Sequence, residues 1–192
     1  MPVDVDIETP LVIDPVAQTT LRNTPAVLQA LLAGQPEAVL RRPNVEGWSI
    51  ADIVAHLHDV EGIAFTVRIG RMLDEDTPSI ASIDPSGRLQ DGGYTARALP
   101  ELLSELAERR PRHLAWLLTL TPEQLARAGQ HDRAGAITPA AVAHQWAFHD
   151  LAHVRQIMEM LQAGLTPGMA NTRAFYPEAQ ALFAGHAPAA EH

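Results

Sequence analysis

A chain of 192 residues with 46% hydrophobic content is long enough to bury one sizeable core and short of the length that splits into two domains. Its net charge of −9, carried with fourteen Arg and no Lys and with no basic cluster, argues against nucleic acid as a partner. The absence of Cys removes disulfides, thiolate nucleophiles and thiolate metal ligands, so a metal ion here must be held by His, Asp or Glu.

The N-terminus MPVDVDIETP has no basic segment leading into an apolar run, and 18 apolar residues never occur in succession; the expectation is a cytoplasmic protein with no membrane span. Residues 1–15, with three prolines and alternating acids, read as an extended lead-in. The first helix is predicted from Asp14 or Pro15 to about Leu32, where Gly34 and Pro36 interrupt it, and Pro36 to Asn44 should form a turn or short helix. Ser49 then opens a second helix, about 49–74, with Asp52 completing a variant capping box. Its residues Ile50, Ile53, Val54, Leu57, Val60 and Ala64 recur at helical spacing.

Thr77 to Tyr94 is rich in Pro, Gly, Ser and Asp and reads as a long crossover loop. A third helix is predicted from Pro100, kinked or divided at Pro111. The loop GQHDRAGAI leads to Thr138 as N-cap and Pro139 at the first position of a fourth helix, which should end at Gly164. The bundle domain thus spans 16–164. Residues 165–192 form a tail with one short helix around Pro177 to Phe183. The fold class expected is all-α, a four-helix bundle.

The fourth helix carries the most informative pattern. Val142, Trp146, His149, His153, Gln156 and Met160 alternate spacings of four and three, the seam a helix presents to its bundle partners. Two histidines one turn apart therefore lie on an otherwise apolar stripe. Buried imidazoles need partners for both ring nitrogens, and an i, i+4 pair brings its Cβ atoms to about 5–6 Å, suited to joint coordination of one ion. A third ligand should come from a facing helix. His56 and His58 both lie roughly 90 to 110° from the apolar axis of the second helix, so periodicity leaves the choice between them open. His113 is a weaker candidate, His131 belongs to a loop, and His144 lies off the seam in a surface or capping role. Arg68 and Arg155 are candidates to meet an anionic substrate.

Taken together, GWSIADIVAHLHDVE and GQHDRAGAITPAAVAHQWAFHDLAHVRQI resemble the DinB/YfiT-like superfamily of metalloenzymes over roughly residues 20 to 163. The parts that carry the resemblance are a W-S pair opening a helix, H-L-x-D-x-E, G-x-H-x-x-x-G-x-x-T and a terminal H-D-x-x-H-x-x-Q. The resemblance implies a four-helix bundle with long crossover connections, often a homodimer, and metal ligands at His56, His149 and His153, preferring His56 over His58. Three imidazoles with one open position describe a catalytic metal site, with Zn²⁺ the first guess and Ni²⁺, Fe²⁺ or Mn²⁺ feasible. Asp59, Glu61 and Asp150 neighbour those ligands in sequence and are candidates to orient them from behind. The implied activity is transfer of a small-molecule thiol to an electrophile or a related hydrolysis. The competing expectation is a non-catalytic, metal-binding or dimerising bundle.

Overall fold

The computed structural model describes residues 12–91 and 97–176. Four long helical stretches build it: α1 (Pro15–Leu32), α3 (Ile50–Val60) continuing into α4 (Thr66–Asp74), α6 (Leu99–Leu117) and α8 (Pro139–Leu165). Short helices α2 (Glu37–Leu40), α5 (Pro85–Gln90) and α7 (Pro122–Leu125) lie in the connections. The starts are chemically marked. Asp14 accepts from the Val16 N–H, Ser49 and Asp52 form a reciprocal capping box, and Thr138 accepts from the Ala141 N–H ahead of Pro139, each satisfying donors that the first turn leaves unpaired.

Two layers of core show the chain direction. One holds Leu21 together with Ile69, Leu117 and Val142; the other holds Leu28 together with Ile53, Leu102 and Ile157. Thus α1 and α8 run one way while α3–α4 and α6 run the other. Because α3–α4 and α6 are parallel, the chain must travel back along the bundle between them, through a connection that includes α5.

Several local expectations are corrected. Pro111 does not divide α6, which runs unbroken through it; buried Leu106, Arg110 and Leu114 hold both sides of the proline against the other helices, and packing outweighs one missing N–H bond. The fourth helix passes Gly164 and ends at Leu165, followed by a 3-10 segment to Phe175. The two loops also carry a small sheet. Ser79–Ile80 (β1) pairs in parallel with Gly129–His131 (β2), which pairs antiparallel with Gly135–Ile137 (β3). Gly129 sits so close to α4 that a Cβ there would lie 2.9 Å from Met72 Cγ. The tail helix expected around Pro177 lies outside the described residues. Among those described, no helix is long and apolar enough to cross a membrane.

Between α3 and α4 lies a π-helical segment, Glu61–Phe65, where the Thr66 N–H reaches back five residues to the Glu61 carbonyl. The sequence explains it. Leu57, Glu61, Phe65 and Ile69 are all buried and spaced by four, and on an α-helix each such step drifts about 40° from the core axis. One wider turn absorbs that drift and keeps the inward stripe aimed at the core.

Candidate metal centre

His56 projects from α3 and His149 and His153 from α8, and the three rings converge. The His149 Nε2 atom lies 3.1 Å from His56 Nε2 and 3.2 Å from His153 Nε2, and the three nitrogens all fall within 4.8 Å of one another. Zn–N bonds of 2.0–2.1 Å in a tetrahedral shell would set such nitrogens about 3.3 Å apart. His58 points to the other flank of α3, where it bonds Glu105 on α6 at 2.8 Å, so it takes no part in the cluster.

Protonation states fit a cation. Burial, with the charges of His153 and Arg88, lowers His56 to about 3. Burial, with His153, His56 and Arg110, lowers His149 likewise to about 3. Burial also lowers His153, against the opposing effect of its bond to Gln156. All three are neutral at pH 7. His153 Nδ1 lies 2.9 Å from Gln156 Oε1, an acceptor that places the imidazole proton on Nδ1 and leaves the Nε2 lone pair facing the other rings. With that tautomer His153 Nε2 offers a lone pair to the cluster, and a divalent ion would take one such lone pair from each ring. The donor set therefore fits a metal of the Zn²⁺, Ni²⁺ or Fe²⁺ type.

Two aromatic rings wall the cluster. Trp48 meets His56 edge-on at 5.5 Å between centroids, and Phe65 meets His149 edge-on at 5.3 Å. Phe65 in turn stacks on Trp146 at 5.4 Å and 11°. On α8 the buried residues are Pro139, Ala140, Val142, Ala143, Trp146, Ala147, Asp150 and Ile157, so the inward face is centred slightly away from the predicted seam. His149 and His153 sit at its edge, half-buried, where a ligand can reach them.

The three neighbouring acids have other partners. Asp59 pairs with Arg88 of α5. Glu61, fully buried, bonds His113 Nδ1 at 2.8 Å and Arg110 Nε at 3.1 Å; burial raises its pKa, but His113, Arg110 and Arg109 bring it below the usual carboxylate range. Asp150 Oδ2 accepts from Arg110 Nη1 at 2.5 Å. His113, a weaker ligand candidate by sequence, is therefore a partner of Glu61. His131 Nδ1 accepts from the N–H groups of Arg133 and Ala134 and closes the β2–β3 turn. His144 accepts from the Asp14 N–H and ties the start of α1 to α8. Arg68 donates to the Ala81 carbonyl and Arg155 lies beside Glu159.

Sequence reasoning placed Gln156 on the seam without giving it a part in the metal site, and assigned no role to Arg110. Gln156 was legible as the residue one turn beyond His153 on the same stripe. The signal for Arg110 is a charge at a position where Leu106, Leu114 and Leu117 mark the buried face of α6.

Comparison with known proteins agrees with this architecture. No curated protein matches the chain. Among solved structures it is similar to YfiT from Bacillus subtilis, described as a probable metal-dependent hydrolase with an unusual four-helix bundle topology; the TM-score is 0.70 and the identity 26%, covering 76% of this chain and 84% of that one. The family model of the DinB superfamily matches residues 20–157. With the bundle and its histidine cluster in the same span, the chain belongs to the DinB superfamily.

Proposed function

We propose that this protein is a metal-dependent hydrolase in which His56, His149 and His153 hold a divalent ion, Zn²⁺ first among the candidates. The observation that carries the reading is the convergence of three neutral imidazoles, with His149 Nε2 within 3.2 Å of both partners. The description of YfiT as a probable metal-dependent hydrolase supports it. A divalent ion held there lowers the pKa of a coordinated water or thiol and so supplies a nucleophile near neutral pH. The chain's own contribution is geometric. Gln156 keeps the His153 proton on Nδ1, Trp48 and Phe65 exclude water from two sides, and the half-buried His149 and His153 leave a path for a small substrate.

A second reading is transfer of a small-molecule thiol to an electrophile at the same site. The lack of any Cys in the chain favours a thiol that arrives as cosubstrate. Metal analysis of protein prepared with varied metal supply, followed by panels of small esters and amides and of thiol–electrophile pairs, separates these readings. Metal-dependent turnover of the first panel supports hydrolysis; turnover only when a thiol is added supports transfer. A bound metal with neither activity points to a non-catalytic metal-binding bundle, and protein that takes up no metal overturns the proposal.

A further inference from the structure

The geometry points to Arg110, on α6, a helix that carries no ligand, as the positioning residue that sets the orientation of His149. The inference rests on reading the three imidazoles as a metal site.

Arg110 is 1% exposed, and a guanidinium so deeply buried survives only with dedicated partners. Every other long helical stretch supplies one. On α1, Pro25 has no N–H to give to Leu21 four residues back, and the freed Leu21 carbonyl accepts from Arg110 Nη1 at 3.0 Å. The π-helical segment supplies Glu61, whose Oε2 lies 3.1 Å from Arg110 Nε and 3.0 Å from Nη2. Helix α8 supplies Asp150 and also Trp146, whose ring lies 4.9 Å below the guanidinium carbon.

Two of these partners lead straight to the ligand. Asp150 is the residue after His149. Trp146 stacks on Phe65, and Phe65 abuts the edge of the His149 ring. The need for such support is specific to His149. His153 is oriented by Gln156, whereas His149 Nδ1 is buried and has no hydrogen-bond partner among the described residues. Apart from its Nε2 contacts with the other two histidines, its ring is held by packing, and on the Phe65 side that packing ends on Arg110. A well-packed apolar side chain would stabilise the bundle about as well as a buried ion triad, so the fixed directions of the guanidinium bonds are what Arg110 adds.

Chelator competition for Zn²⁺ and the visible spectrum of the Co²⁺-loaded protein, run beside thermal denaturation, test this. Arg110→Met should weaken Zn²⁺ binding at least about 10-fold and shift the Co²⁺ bands, the size seen when a residue behind a metal ligand is lost. Arg110→Lys should recover part of that affinity. Leu106→Ala, an equally buried change one turn earlier on α6, should lower Tm while leaving Zn²⁺ affinity within about twofold, since it only opens a cavity. Phe65→Leu cuts the stack and leaves every ion pair in place; it should also weaken Zn²⁺ binding, and it decides the question if Arg110→Met does not fold. Unchanged affinity in Arg110→Met, or in Phe65→Leu where that variant must serve, overturns the inference. So does a loss in Leu106→Ala equal to that in Arg110→Met. A wild-type protein that binds no Zn²⁺ overturns the metal reading itself.

Discussion

His56 and His149 stand 93 residues apart in the chain, yet their Nε2 atoms lie 3.1 Å apart across the α3–α8 interface. That contact makes the ligand set testable one residue at a time.

Replacing His149, whose Nε2 lies within 3.2 Å of both other Nε2 atoms, should be the most damaging change. His149→Ala should reduce Zn²⁺ affinity by about 100-fold or more, at the upper end of what loss of metal-site residues costs. His58→Ala should stay within about twofold, because His58 faces Glu105 on the opposite flank of α3. Titration of the metal-free proteins with Zn²⁺ distinguishes them, and equal losses in the two variants would rule out the proposed triad.

Gln156 should act on a bound metal through the proton of His153. Gln156→Leu removes the acceptor at 2.9 Å and should weaken metal binding by about 10- to 100-fold. Gln156→Glu keeps an acceptor in place and should retain most of the affinity. If Leu and Glu behave alike in the same titration, the hydrogen bond has no part in fixing the tautomer.

Stability should depend on pH in a window set by His56 and His149. Unfolded imidazoles protonate near pH 6.5, whereas these two remain neutral in the folded chain down to about 3. As pH falls below 6.5 the unfolded state binds the additional protons. The metal-free protein should therefore be most stable above pH 6.5 and lose up to about 1.4 kcal/mol per pH unit for each histidine on the way down. Urea midpoints at pH 7.5 and 5.5, above the range where carboxylates titrate, measure this. No change between them would show that the imidazoles are not held neutral.

Breaking the buried ion cluster should be costly for the fold. Arg110→Ala leaves Glu61 and Asp150, 0% and 1% exposed, without their shared cation, and should cost about 3–5 kcal/mol. Denaturant unfolding gives the value, and a loss below about 1 kcal/mol, the size expected of an exposed pair, would mean that the cluster is solvated.

The helices were largely legible because their marks are local. Asp14, Ser49 and Thr138 cap the predicted starts, and apolar spacing outlines the bodies. The small sheet was not, because strands of two and three residues leave no periodicity to read and exist only where the two loops meet. That α6 is not divided at Pro111 was hidden for the same reason in reverse. A proline's local cost is visible in sequence, while the packing of Leu106, Arg110 and Leu114 that outweighs it is not. Asp59, Glu61 and Asp150 were singled out for closeness to the ligands along the chain, but closeness in sequence does not tell which way a side chain leaves its helix.

By itself the sequence determined the bundle and the pairing of His149 with His153, since an i, i+4 spacing on one helix is enough to put both rings on one side. Only the tertiary structure decided between His56 and His58. They leave α3 about 200° apart, equally far from its core axis and on opposite flanks, so their positions are equivalent until the neighbouring helices are placed. Packing α8 against one flank and α6 against the other makes the first a candidate metal ligand and the second a partner for Glu105. The same packing brings Glu61, Arg110 and Asp150 from three helices to one point, because a buried charge stays in the core only where others converge on it.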